Sequence, residues 1–187
     1  MKKLKVILML IVLSMCLTAC KVTEKEKIET YKDEKSGVTF EYSNRFEKIE
    51  PVEDISLKIN EQMDKKVELE TSSCNTIMQN DEGEIILLKT IDNEALLTTD
   101  DEIKSELEKQ RQDYKEIMNI AKDTKIIKNE IITVNEKLAL DTQIESNGVR
   151  TRVLLIKLKD KTVELQYIAK TDKYNENNAN FLETIKI

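Results

Sequence analysis

The sequence predicts an α+β fold, an antiparallel β-sheet flanked by helices, after an N-terminal signal peptide. Three observations predict it. Several short segments alternate apolar and polar residues with the period of a strand. One long segment carries a helix start signal followed by a helical apolar stripe. In the last third, short turns rather than crossovers link consecutive strands, which points to α+β rather than α/β.

Each element has a local reason. Val38, Phe40 and Tyr42 alternate and predict a strand, as do Val67, Leu69 and Thr71 further on. Residues 84–90 (EIILLKT) form a short apolar run after the turn-like Asn80-Asp81-Glu82-Gly83, and read as a buried strand. Residues 99–122 predict the main helix. Thr99 and Glu102 have capping-box spacing, and Asp100, Asp101 and Glu102 put negative charge in the first turn, where the helix dipole favours it. Ile103, Leu107, Tyr114, Ile117, Met118 and Ala121 then recur on one stripe, a face for packing on a sheet.

A strand is predicted over 125–134, with a turn at Asn135-Glu136. A three-stranded meander follows, over 137–145, 149–159 and 162–170. Leu138, Leu140, Thr142 and Ile144 share one face of its first strand. Asn147-Gly148 marks the first hairpin, since both residues tolerate the positive φ of a type I′ turn; Asp160-Lys161 marks the second. Residues 172–185 predict a closing helix with Tyr174, Phe181, Leu182 and Ile185 inward.

Composition excludes several chemistries. The 187 residues include 3 Cys, 3 Gly, 1 Pro and no His or Trp. Without histidine there is no Ser-His-Asp or Cys-His nucleophile system, and no zinc site of the histidine-bearing types. The glycines stand at 37, 83 and 148, so no glycine-rich phosphate loop exists. Lys+Arg 30 against Asp+Glu 36 give a formal charge of −6. An acidic body is repelled by nucleic acid and by anionic lipid, so neither is an expected partner.

The N-terminus sets the expected location. Lys2, Lys3 and Lys5 precede a run of 14 uncharged, mostly apolar residues, 6–19. A bilayer core needs about 20 apolar residues in a helix, so this run is short for a span and has the flanks of a secretory signal. It ends Leu17-Thr18-Ala19-Cys20, which resembles a bacterial lipobox. The resemblance implies recognition of Leu17, Thr18 and Ala19 by a signal peptidase, cleavage after Ala19, and a diacylglyceryl group on the Cys20 sulfur. Two acyl chains anchor a protein stably, whereas one does so only marginally. Loss of residues 1–19 removes three lysines and no acid, so the charge of −6 becomes −9 over the 168 remaining residues. The expected division is a signal peptide (1–19), a lipidated cysteine with a charged tether (20–30) and one domain (31–187). No internal repeat or Pro/Gly/Ser-rich linker interrupts that domain.

The remaining site candidates each have a plain alternative. With Cys16 in the signal and Cys20 lipidated, Cys74 is left alone, either a reactive thiol or a small half-buried apolar residue. The acidic pairs Asp100/Asp101, Glu82/Glu84 and Asp141/Glu145 are the only general acid–base option, and read first as solvated surface charge. Asn80 to Glu84 lacks the spacing of a calcium loop and reads as a hairpin turn. The Asn-rich run Asn175 to Asn180 can bind a sugar or an ion, or be a weak polar helix face.

The segment GVTFEYSNRF (37–46) resembles the entry motif of the PsbP-like superfamily, which shares its fold with Mog1. The end, YIAKTDKYNENNANFLETIKI (167–187), resembles that family's close, with Phe181, Ile185 and Ile187 at its apolar positions. Ser43 stands where the family has Pro, Phe46 where Trp is common, and Thr184 near the usual Ser. The resemblance covers most of 31–187. It implies an α/β/α sandwich and a small non-catalytic binding or assembly module. It carries over no catalytic residue, and neither the calcium nor the manganese of photosynthetic members.

The resulting expectation is a cell-membrane lipoprotein on the extracytoplasmic face. It binds rather than catalyses, with no cofactor beyond the lipid on Cys20, and its partners are the membrane and an envelope protein. Two alternatives follow: a lipoprotein holding a lipid or small solute between helix and sheet, and a carboxylate-dependent hydrolase.

Overall fold

A computed structural model describes residues 26–34, 36–49, 74–120 and 123–187, without the side chains of 117–120. The signal peptide, Cys20 and the strand expected around Val67 to Thr71 lie outside the described residues. A two-stranded hairpin comes first, β1 (Ile28–Lys32) and β2 (Thr39–Ser43), with Tyr31 opposite Phe40. The larger sheet comprises β3 (Glu47–Lys48), β4 (Cys74–Gln79), β5 (Ile85–Asp92), β6 (Thr124–Val134), β7 (Lys137–Ser146), β8 (Val149–Lys157) and β9 (Lys161–Lys170). Its order is β3-β4-β5-β9-β8-β7-β6, and every pairing is antiparallel.

The expected meander is present and gains β6 as a fourth strand. Both of its first turns need left-handed backbone: Asn147 and Gly148 have φ of 52° and 76°, Asn135 and Glu136 of 45° and 67°. A two-residue loop with two positive φ values matches the right-handed twist of the strands it joins. That turn sets Ser146 opposite Val149, and so Gln143 opposite Arg152.

The helix α1 (Asp100–Ile120) starts as its sequence demands. The Glu102 backbone N–H donates to Thr99 Oγ1 at 3.2 Å, and Glu102 Oε2 accepts from the Thr98 and Thr99 N–H groups at 2.7 and 3.0 Å. These reciprocal bonds satisfy orphan donors of the first turn. They also hold the Glu102 carboxyl below the usual carboxylate range, the Thr98 backbone bond first among them. Ile103, Leu107 and Tyr114 pack on Leu140 and Leu155 of the sheet.

The opposite face carries the main core. Phe40 of the hairpin, Ile86 and Leu88 of β5, Leu154 of β8, Leu165 and Tyr167 of β9, and Phe181, Leu182 and Ile185 of the C-terminal segment form one cluster. Phe40 and Phe181 rings lie 5.5 Å apart. The expected inward residues of the closing segment are therefore inward. The helix itself is a correction. Residues 172–185 form α2 (Glu176–Ala179), one turn long, followed by a 3₁₀ segment (Asn180–Thr184). The four asparagines among residues 175–180 are poor helix formers, because their amides compete for backbone hydrogen bonds. Asn175 instead caps α2, accepting from the Asn177 N–H at 2.9 Å.

Two further expectations are corrected. The fold is sheet-rich rather than a sandwich of helices: α1 covers one face, and a β-hairpin with two brief helical pieces covers the other. Residues 28–30, assigned to the tether, belong to β1, so the domain includes residues before Tyr31. Among the described residues, no helix is long and apolar enough to cross a membrane.

Candidate binding cleft

The Asn-rich run is where the hairpin and the C-terminal segment meet. Lys186 bridges to Thr39 through paired backbone bonds of 2.9 and 2.8 Å, and Thr184 Oγ1 accepts from the Glu41 N–H at 2.8 Å. These ties leave a cleft of about 390 Å³ between β2 and the helical segment. Phe46, Ile86 and Phe181 form its floor. Asn175, Asn177, Asn178 and Asn180 line one wall, and Glu41, Tyr42 and Ser43 the other, with Glu26 and Ile28 at the mouth. The side chains of Asn177 and Asn180 are spent on no hydrogen bond among the described residues.

The cleft presents neutral donors and acceptors within an acidic setting. Arg45 sits nearby but is occupied, reaching Glu26 and Glu82 at 3.3 Å each and Asn178 Oδ1 at 3.4 Å. Burial raises the pKa of Tyr42, and its hydrogen bond to Glu29 and that group's charge raise it further, so it stays a hydroxyl. Behind the wall, Asn178 Nδ2 donates to Glu84 Oε2 at 2.8 Å. Glu84 is 1% exposed and also accepts from Tyr167 Oη and Asn80 Nδ2, both at 2.5 Å. Burial, then the Glu84 bond and charge, push the Tyr167 hydroxyl well above the usual tyrosine range.

A second cleft of about 350 Å³ opens on the helix face, between α1 and the strands. Leu155 and Ile91 share its lining with Glu106, Lys109, Lys157 and Glu164. A lipid chain here would leave those charges without water or partner, which is costly. Tyr114, beside it, has its pKa pushed up to about 12 by burial and then by the Glu164 charge.

The acidic pairs separate. Asp100 and Asp101 stand exposed in the first turn of α1. Glu82 is a surface residue paired with Arg45, while Glu84 is buried under Asn178. Asp141 is fully buried rather than solvated, which corrects the surface reading. Its carboxylate takes two bonds from Arg152, of 3.0 and 2.8 Å, and one from Lys128 Nζ at 2.8 Å. Arg152 also reaches Glu183 at 3.0 Å, whereas Glu145 pairs with Arg150 at 3.0 Å. Burial alone would raise the Asp141 pKa, but the Arg152 and Lys128 bonds and charges bring it below the ordinary range. Asn80 Oδ1 closes the loop before β5 by accepting from the N–H groups of Glu82 and Glu84 at 3.0 Å each, as expected of a hairpin turn. Cys74 opens β4 half-buried against the cluster of Ile49, Ile77 and Ile85.

Sequence reasoning missed the Asp141–Arg152 and Glu84–Tyr167 sites. A signal for the first was present. The Asn147-Gly148 turn fixes the register that makes Asp141 and Arg152 diagonal neighbours.

This topology defines a class: an antiparallel α+β domain with a PsbP-like fold. Among solved structures the chain is similar to cyanobacterial PsbP (CyanoP) from Synechocystis sp. PCC 6803, at 9% identity and a TM-score of 0.54, over 90% of this chain and 97% of that one. It is also similar to a crystal structure from Bacteroides thetaiotaomicron VPI-5482, at 8% identity and a TM-score of 0.50, covering 84% of this chain and 47% of that one. Likeness at such identity is one of fold. No protein-family model and no curated protein matches the chain.

Proposed function

We propose that the protein is a membrane-anchored extracytoplasmic lipoprotein whose domain is a non-catalytic binding module. The observation that carries this reading is Leu17-Thr18-Ala19-Cys20 closing an uncharged run behind three lysines. Geometry supports it. Cys20 and Ile28 are eight residues apart, a reach of at most about 29 Å. The hairpin and the cleft beside it therefore lie on the part of the domain tethered closest to the membrane. The absence of histidine from the sequence and the scattering of the acidic pairs favour binding over catalysis. The cleft's amides and hydroxyls suit an uncharged polar surface of an envelope protein, and its carboxylates disfavour anions. The charged helix-face cleft gives little support to a lipid carrier.

The test is Cys20→Ala expressed in a bacterial host. The wild-type chain should incorporate labelled fatty acid, fractionate with the membrane and begin at Cys20 by mass spectrometry. Cys20→Ala should lose the label and either stay uncleaved or leave the membrane. A wild-type chain found unmodified, full-length and cytoplasmic overturns the proposal. For the cleft, Asn177→Arg with Asn180→Arg should abolish in-cell crosslinking to the bound partner without altering the circular dichroism spectrum.

A further inference from the structure

The seven-stranded sheet has unequal edges. Among the described residues one edge is β3, only two residues long, and the other is β6, eleven residues long with a neighbour on one side only. A long open edge presents a row of unpaired backbone groups and is a template for another strand. The sequence of β6, TKIIKNEIITV, reads nearly the same from both ends about Asn129. Ile127 mirrors Ile131, and Lys128 mirrors Glu130 with the opposite charge.

The faces agree with that symmetry. A register shift between Ile126 and Lys128 bends the strand. Beyond it, Lys128 and Glu130 stand beside Gln143 and Asp141 on the hairpin face, and Asn129 and Ile131 beside Thr142 and Leu140 on the helix face. Ile127, which precedes Lys128, is 40% exposed. Lys128 is half spent on the buried Asp141 at 2.8 Å, whereas Glu130 is exposed and makes no ion pair among the described residues.

We infer that β6 is the interface of a two-fold symmetric homodimer, in which two copies of this chain pair β6 to β6, antiparallel, about Asn129. Glu130 of each copy then faces Lys128 of the other, and each exposed Ile127 meets an Ile131. Sliding one strand by two residues in either direction would set Lys128 opposite Lys128 or Glu130 opposite Glu130, so the charges favour this register over its two nearest same-face neighbours. The two-fold axis of such a pair runs perpendicular to the sheet. It therefore keeps the hairpin faces of both copies, and both Ile28 residues, on one side. Tethers from both copies can reach a single membrane, where anchoring raises their effective concentration. The inference does not rest on the lipid, since the edge and its pattern exist without it.

The test is site-directed disulfide trapping in the full chain in detergent, with Cys74→Ser as background. Residues directly opposite in an antiparallel pair have Cα atoms about 4.5–5.5 Å apart, within disulfide reach. Asn129→Cys should therefore crosslink to its own copy in more than about half of the molecules under mild oxidant. Thr133→Cys should not, because its two copies would lie about 27 Å apart along the strands. Glu130→Lys, which sets lysine against lysine twice, should cut the Asn129→Cys crosslink at least about tenfold. Sedimentation of the chain without any cysteine introduced should give a dimer, and of Glu130→Lys a monomer with an unchanged circular dichroism spectrum. Equal trapping at 129 and 133, trapping of Asn129→Cys onto a different protein, or a monomeric unaltered chain at 100-fold above its cellular concentration would each overturn the assignment.

Discussion

The two most deeply buried carboxylates among the described residues, Asp141 and Glu84, lie on the hairpin face of the sheet and are stabilised in opposite ways. Asp141, on β7, sits between two cations. Glu84, ahead of β5, has a tyrosine hydroxyl and two asparagine amides, and no cation in contact among the described residues. Removing one partner of a buried ion pair strands a charge, whereas a set of neutral donors shares the load among several weaker bonds. The two ends of one face therefore differ in what they tolerate. The Asp141 end should fail on loss of a single side chain. The Glu84 end, which backs the cleft wall, should yield in smaller steps.

The largest expected effect is at Arg152→Ala. It leaves Asp141 with Lys128 alone and should cost about 3–5 kcal/mol in urea unfolding. The pH dependence sharpens the point. The Asp141 carboxyl is held below its unfolded value, so its contribution is present above about pH 4 and fades as pH falls through the folded value. The stability gap between wild type and Arg152→Ala should therefore narrow as pH falls below about 4; a constant gap would show that Arg152 acts through packing instead. Next comes Glu84→Gln, which sets an amide NH₂ against the donors of Asn80 and Asn178. A loss of about 1–3 kcal/mol is expected, and one equal to that of Arg152→Ala would erase the distinction between the two ends. The smallest effect belongs to Asn177→Ala with Asn180→Ala. These amides hold nothing among the described residues, so the urea midpoint should shift by less than the equivalent of about 0.5 kcal/mol.

Legibility in the sequence followed locality. The meander and α1 were readable because their signals sit within a few residues: alternation, an Asn-Gly turn, a capping box. β1 was not, because KVTEKEKIET has little apolar period, and Ile28–Lys32 is a strand only through its pairing with β2. The closing helix was overextended for the reverse reason, since Phe181, Leu182 and Ile185 keep an inward pattern that a 3₁₀ turn also satisfies. Of the cleft, the asparagines were visible as a run, but their opposite wall lies more than 130 residues away in the chain. Asp141 was misread because, among 36 acidic residues, a neighbouring pair reads as surface charge. The middle of β7 is covered on both faces, and its polar residues Asp141, Thr142 and Gln143 are buried with partners.

The bridge between Lys186 and Thr39, together with the bond from Asn135 to the Ile185 carbonyl, has a consequence for biogenesis. The first hairpin cannot dock for good until residues 181–187 have left the ribosome. A nascent chain that lacks them has an uncovered aromatic layer and no lock. Until then the hairpin side of the sheet stays open, while the β7–β8–β9 pairings, which involve none of those residues, can already form.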